Sequence, residues 1–148
     1  MTGPFRFSLQ RLLDLRHAAE RAQAAAMGRA AAEEERLRVT SEEEAARLEA
    51  VQDQAAAVTP LPAGLRHLIG LSTEAARARA SEAEEAHRTA EMARLDEQDR
   101  FSDARMARRS LERLREKRSA EWSTEAGRQA QADSDEVARQ QHTRKEDA

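Results

Sequence analysis

The stretch Thr59-Pro60-Leu61-Pro62-Ala63-Gly64 holds two of the three prolines in this chain of 148 residues. The third, Pro4, lies near the N-terminus, so a long proline-free run stands on each side of the stretch. Proline ends a helix because its ring crowds the preceding turn and its nitrogen carries no hydrogen. One internal break between two uninterrupted runs predicts an all-α fold, an antiparallel two-helix coiled-coil hairpin with a rod-like form.

Capping residues give the expected helix boundaries. Ser8 suits the start of the first helix, and Ser72 or Thr73 suits the start of the second, because their hydroxyls can accept bonds from free backbone amides. Long helices of this kind are stable only if a stripe along each is buried. We expect one domain over 1–148, with helix one over about 8–58, a turn over 59–71 and helix two over about 72–141.

Apolar residues recur at heptad spacing along both predicted helices, which is typical of coiled coils. Alanine dominates the repeat and buries little area, so the pairing should be weak per residue. In helix two the repeat is interrupted at Glu97 and Arg100 and consists of Ala83, Ala86, Ala90, Ala93, Ala104, Ala107, Leu111 and Leu114. In helix one it consists of Leu9, Leu12, Ala19, Ala22, Ala26, Ala30, Leu37, Leu48, Val51, Ala55 and Val58.

Antiparallel folding about Leu65 would pair residues whose numbers add up to roughly 130. That pairing places Leu37 near Ala93 and makes the end with the termini basic, while the middle is acidic. Six large apolar residues should then gather at the end with the termini: Phe5, Phe7, Leu12, Leu13, Leu114 and Trp122.

Composition limits the class of protein. Three phenylalanines, one tryptophan and no tyrosine are too few for a compact globular core. The charge is -3, which does not favour binding to polyanions, and the absence of cysteine excludes disulfides and thiolate metal sites. No apolar run is long enough to span a membrane, so we expect a cytoplasmic protein. Disorder stays open as an alternative, since high charge with few aromatic residues also fits it.

Candidate catalytic and metal sites are poor. The segment 64–70 has two glycines but lacks the context of a phosphate-binding loop, so a plain turn is favoured. Glu84, His87 and Glu91 share a helical face, yet a solvated surface explains them better than a metal site. Acid-base catalysis needs a cleft that shifts pKa values, and a two-helix rod offers none. We expect no enzymatic activity, no cofactor and no metal.

The basic segment 105–118 allows three interpretations. It can be a solvated face with ion pairs such as Arg108–Glu112 and Arg113–Glu116. Nucleic-acid binding would need a clean basic face with aromatic residues, which the interleaved glutamates argue against. The third interpretation is a docking surface for an acidic protein, because the guanidinium group pairs well with carboxylates.

Three motifs, in this order, resemble the FliJ family of flagellar export proteins, and the resemblance spans nearly the whole chain. YscO-type proteins of injectisome secretion systems look similar. The motifs are Phe5-x-Phe7-x-Leu9-x-x-Leu12-Leu13-x-x-Arg16, Arg109-x-Leu111-Glu112-x-Leu114-x-x-x-Arg118 and Asp135-Glu136-x-Ala138.

The resemblance implies a stalk that inserts its terminal end into the hexameric export ATPase, promotes assembly of that ring, and meets the export gate protein FlhA. It also implies contacts with export chaperones and a peripheral position at the inner face of the cell membrane through partner proteins. It assigns to the ATPase contact Leu9, Leu12, Leu13, Arg16, Arg109, Leu114 and Arg118.

The gate contact is assigned differently, because no aromatic residue lies between Phe7 and Phe101. Val51, Leu68, Ile69 and Leu71 are chosen for being apolar, although packing of the turn also explains them. We expect a monomer that binds no nucleic acid. The rival interpretations are a generic dimeric coiled-coil scaffold or adaptor and a helical protein associated with nucleic acid.

Overall fold

The computed structural model describes residues 3–57 and 60–146, and these residues form two helices, α1 (Gln10–Ala57) and α2 (Ala63–Glu146). The helices pack against each other, and the described residues contain no strand. The predicted all-α two-helix hairpin is therefore confirmed, and the alternative of disorder is not. Val58, the last residue of the predicted apolar repeat in helix one, lies outside the described residues.

Helix α1 begins two residues after its expected cap. Ser8 and Leu9 form a turn in which the Gln10 amide donates to the Phe7 carbonyl at 3.1 Å. The Leu13 amide donates to the Leu9 carbonyl at 2.9 Å, so Leu9 occupies the cap position. The apolar N-terminal segment is thereby held next to the helix that follows it.

Helix α2 begins at Ala63, well before the expected start at 72. The Pro62 carbonyl accepts from the Arg66 amide at 3.1 Å, so the proline that breaks the chain also starts the next helix. The prediction that Ser72 or Thr73 caps α2 is wrong. Thr73 lies inside the helix, where its hydroxyl donates to the Ile69 carbonyl at 2.9 Å and needs no cap position.

The chain forms two compact units, and each contains segments of both helices. The terminal unit consists of Met1–Glu20 and Ala104–Ala148, and the turn unit consists of Arg21–Asp103. Interhelical ion pairs in both units join residues whose numbers add up to about 130, as expected for a hairpin: Glu20 with Arg108 and Glu34 with Arg94.

Large side chains stabilise the terminal unit. Leu13 is only 1% exposed and is the one large side chain that is fully buried among the described residues. The rings of Phe5 and Trp122 lie 6.2 Å apart and tilted by 53°, a favourable aromatic geometry. Leu111 and Leu114 are half-buried on α2. Of the residues expected to gather near the termini, Phe5, Phe7, Leu114 and Trp122 line one groove and Leu13 is buried, whereas Leu12 is exposed.

Small side chains stabilise the turn unit. Ala76 and Ala90 are its buried residues, and Leu37 and Leu48 are half-buried on α1. Alanine contributes little buried area, but it lets the helix backbones approach closely. The turn unit therefore depends on close contact along its length more than on any single anchor.

The predicted repeat on α2 consists of two rows of residues, and the members of each row are seven positions apart. The prediction is right for one row and only partly right for the other. Ala83, Ala90, Glu97, Ala104 and Leu111 are all buried or half-buried, including the glutamate that interrupts the repeat. In the second row Ala93 and Arg100 are exposed. Their place is taken by a row one residue further on, which is half-buried and mostly polar: His87, Arg94, Phe101 and Arg108.

The first half of the predicted repeat on α1 is wrong. Leu12, Ala19 and Ala22 are exposed, whereas Leu13, His17 and Glu20 are buried or half-buried. His17 and Glu20 face inward because they have polar partners on α2, Glu112 for His17 and Arg108 for Glu20. Further along, the prediction is right, since these residues are half-buried: Ala26, Ala30, Leu37, Leu48, Val51 and Ala55.

Candidate protein-binding site

A charged network links the two helices of the terminal unit. Arg108 pairs with Glu20 across the hairpin and with Glu112 on its own helix at 2.5 Å. Glu112 also lies 3.3 Å from the Nε2 atom of His17. Hydrogen bonds to Glu20 and Glu112 raise the pKa of the Arg108 guanidinium, so this arginine stays charged and is fully engaged inside the protein.

Four exposed arginines of the terminal unit differ from Arg108 in their partners. Arg16 and Arg109 are exposed and form no ion pair within 3–57 and 60–146, and the same holds for Arg113, whose predicted pairing with Glu116 does not form. Arg118 makes one exposed pair with Glu121 at 3.5 Å. An unpaired guanidinium at a surface can bind a carboxylate of another molecule through two parallel hydrogen bonds.

The seven residues that the resemblance assigns to the ATPase contact all lie in the terminal unit, but their exposure differs. Leu9 and Leu12 are exposed, whereas Leu114 is half-buried. Leu13 is buried and contributes to the fold, so a partner can reach it only if the hairpin opens. The residues with access to a partner are Leu9, Leu12, Arg16, Arg109 and Arg118.

This set has two exposed neighbours: Arg11, which belongs to the predicted basic end, and Leu15, which sequence reasoning missed. Leu15 is 66% exposed, and Arg11 is exposed without an ion pair in the part of the chain that the structure describes. Leu15 follows Leu12 by three residues, which places both on one face of α1. The predicted repeat places Leu12 at the interface between the helices and does not include Leu15.

An open groove in the terminal unit adds an apolar element to this surface. It lies between the N-terminal segment 3–9 and α2, and its α2 side consists of Leu114, Arg118, Glu121, Trp122 and Glu125. Aromatic and arginine side chains are common at the centre of protein interfaces. The groove and the unpaired arginines make this unit suitable for binding a protein.

The four residues assigned to the gate contact lie in the turn unit, in two environments. Val51 and Ile69 are half-buried and line an apolar groove between α1 and α2. Leu68 and Leu71 are exposed, and so is Leu65 on the first turn of α2. The structure therefore brings Val51 and Ile69 together, while Leu68 and Leu71 lie open to solvent.

The acidic clusters of α1 are largely engaged within their own helix. Glu33 pairs with Arg36 at 2.6 Å, and Arg38 bridges Glu35 at 2.7 Å and Glu42 at 2.5 Å. The hydrogen bonds from Arg36 and Arg38 lower the pKa of Glu33 and Glu35 respectively. These pairs are exposed, so each stabilises the helix only slightly.

Two polar contacts cross between the helices of the turn unit. Arg94 lies 2.5 Å from Glu34, and both side chains are largely covered. The Gln23 amide donates to the Glu97 carboxylate. Their partners are specific, so these contacts help to fix how α1 and α2 are aligned within this unit.

Within the described ranges, no three histidine or acidic side chains lie close enough together to hold a metal ion. No described helix combines the length and the apolar character that crossing a bilayer requires. Comparisons of the chain with protein families, with curated proteins and with solved structures gave no match.

Proposed function

We propose that this protein is a non-enzymatic stalk of a flagellar, type III protein export apparatus. Its terminal unit docks with the hexameric export ATPase and promotes assembly of the ring. Its turn unit meets the export gate protein FlhA, so the protein couples the ATPase to the gate. The protein would therefore lie in the cytoplasm and associate with the membrane only through its partners.

The observation that carries the proposal is the surface of the terminal unit. Exposed Leu9 and Leu12 accompany Arg16 and Arg109, which have no ion pair within the described residues. Apolar contacts supply affinity, while unpaired charges steer a partner and fix its orientation. The order of motifs in the sequence resembles the FliJ family, and this resemblance is the reason for proposing the export ATPase as the partner.

The turn unit supports the second contact less specifically. It presents exposed Leu65, Leu68 and Leu71 beside an apolar groove, and solvent-exposed leucines in a cluster often mark an interaction site. These residues are separate in sequence from the proposed ATPase contact, so one protein could hold both partners at once.

Charge reversal tests the ATPase contact directly. We expect Arg16→Glu combined with Arg118→Glu to reduce stimulation of the purified export ATPase toward its basal rate, because like charges would then face an acidic partner. Circular dichroism should show an unchanged helix content, since both side chains are exposed. A matched control is Arg66→Glu with Arg79→Glu, which makes the same charge change at exposed residues of the turn unit.

Stimulation that persists in the Arg16→Glu, Arg118→Glu protein would remove these arginines from the contact. Equal loss in the control would mean that net charge, not this surface, sets the effect. Failure of the wild-type protein to bind or stimulate the ATPase would rule out the proposed function itself.

A further inference from the structure

A surface at the start of α1 is apolar in its centre and positive at its margins. We call it the basic face and define it as Arg11, Leu12, Leu15 and Arg16. Leu12 is 38% exposed and Leu15 is 66% exposed. Both arginines are exposed, and neither forms an ion pair among the residues that the structure describes.

A surface with the opposite charge lies on α2 in the turn unit. We call it the acidic face and define it as Glu91, Met92, Leu95 and Asp96. Met92 is 71% exposed and Leu95 is 48% exposed. Glu91 and Asp96 are exposed and, within the described ranges, form no ion pair, although many other acidic residues of the turn unit do.

The two faces share one spacing. Each has two large apolar residues three positions apart, with one charged residue directly before the first and another directly after the second. On a helix this spacing places the apolar pair in the middle and the charges on its two sides. Paired helices in coiled coils use the same arrangement, in which flanking charges of opposite sign select the partner.

The basic face is complementary in charge to the acidic face, and neither face is complementary to a second copy of itself. A basic face set against another basic face would bring arginines together, and two acidic faces would repel each other in the same way. A basic face set against an acidic face would bury leucine against methionine and leucine, with an arginine facing a carboxylate on each side. Both halves of this contact are present on the same chain.

We propose that the protein self-associates, with the basic face of one copy docked on the acidic face of a second copy. Each contact joins a basic face to an acidic face, so it is a heterologous contact. The area is small and the ion pairs lie near solvent, so the association is transient and salt-sensitive. Self-association does not depend on the proposed function, because it requires no other protein.

Sedimentation equilibrium of the full chain tests this proposal. At low salt the apparent mass should rise above the 16.5 kDa of one chain as protein concentration increases, and added salt should return it to that value. The charge-reversed proteins Arg11→Glu, Arg16→Glu and Glu91→Arg, Asp96→Arg should each stay at the mass of one chain, because each carries two faces of the same sign.

The decisive experiment is to mix the two charge-reversed proteins. Their faces are complementary to each other, so the mixture should associate as the wild-type protein does while neither component does so alone. The control Arg66→Glu, Arg79→Glu makes the same change in net charge as Arg11→Glu, Arg16→Glu but away from both faces, and it should associate normally.

A wild-type mass that stays at one chain at every concentration would overturn the proposal. So would a mixture that fails to associate when both components retain wild-type helix content by circular dichroism. Association that is lost equally in the control would show an effect of net charge and would also overturn the specific pairing of these faces.

Discussion

The two helices pack against each other in both the terminal unit and the turn unit, but different side chains are buried between them in each unit. The terminal unit buries Leu13 and packs Phe5 on Trp122, whereas the turn unit buries Ala76 and Ala90. A large side chain fits one site and therefore fixes position, while alanine fixes only how closely the helices approach. Two helices can thus be held together by one strong anchor or by many small contacts.

Polar contacts show a second difference. In the terminal unit Arg108 joins Glu20 and Glu112 in one connected network with His17 nearby. In the turn unit the interhelical contacts of Arg94 with Glu34 and of Gln23 with Glu97 are separate pairs. Loss of one member should therefore matter more in the terminal unit, since it leaves several charges without their partner.

The largest expected effect is loss of the terminal anchor. Leu13→Ala should destabilise the protein by about 2–5 kcal/mol, because it removes buried methyl groups and leaves a cavity. Chemical denaturation followed by circular dichroism measures this, with exposed Leu68→Ala as the matched control. If the two variants unfold at the same denaturant concentration, Leu13 is not the anchor.

Close approach in the turn unit is tested by overpacking. Ala90→Leu should lower stability by about 1–3 kcal/mol, since a buried alanine position has no room for a leucine. Ala93→Leu, three residues further on and exposed, should have little effect. Thermal melts compare the two variants, and a melting temperature for Ala90→Leu at or above that of the wild type would contradict close contact there.

A smaller effect is expected from the charged network. Arg108→Ala should lower the melting temperature because it leaves Glu20 and Glu112 close to the interface without a cation. Arg109→Ala, next in sequence and exposed, should leave the melting temperature unchanged. Equal melting temperatures for the two variants would show that the network contributes nothing to stability.

The smallest effect concerns pH and the exposed pairs of α1. Arg36 and Arg38 lower the pKa of Glu33 and Glu35 below the ordinary value of 4.5, so these bonds stabilise the folded protein above that pH. Their contribution should vanish as the pH falls through the lowered pKa values. The stability difference between wild type and Glu33→Gln, Glu35→Gln should therefore be slight at neutral pH and shrink in acid, as measured by denaturation at each pH.

The two-helix hairpin could be predicted because proline leaves few alternatives. Pro60 and Pro62 mark the turn, and the proline-free runs on both sides carry a heptad repeat. The start of α2 could not be placed, since the hydroxyls of Ser72 and Thr73 fit a cap and a helix interior equally well. A bond to the Ile69 carbonyl decides that question for Thr73, and it depends on the backbone already being helical.

The inward face of early α1 was harder to predict than the fold. Hydrophobicity favours Leu12 and Ala19 as interface residues, but the structure turns Leu13, His17 and Glu20 toward α2. Glu20 pairs there with Arg108, and this pair joins residues far apart in sequence. The candidate surface followed partly from the motifs and from the predicted basic end, whereas Leu15 became apparent only when the outward face was known.

The first turns of α1 thus have two rival faces, one leucine-rich and turned outward, the other partly charged and turned inward. The inward face combines the buried Leu13 with His17 and Glu20, whose polar partners lie on α2. Burial of Leu13 and the Glu20–Arg108 pair together favour the observed rotation of the helix, which leaves Leu12 and Leu15 exposed. A change that neutralises Glu20 or Arg108 should remove one of these two constraints, while burial of Leu13 should still favour the same rotation.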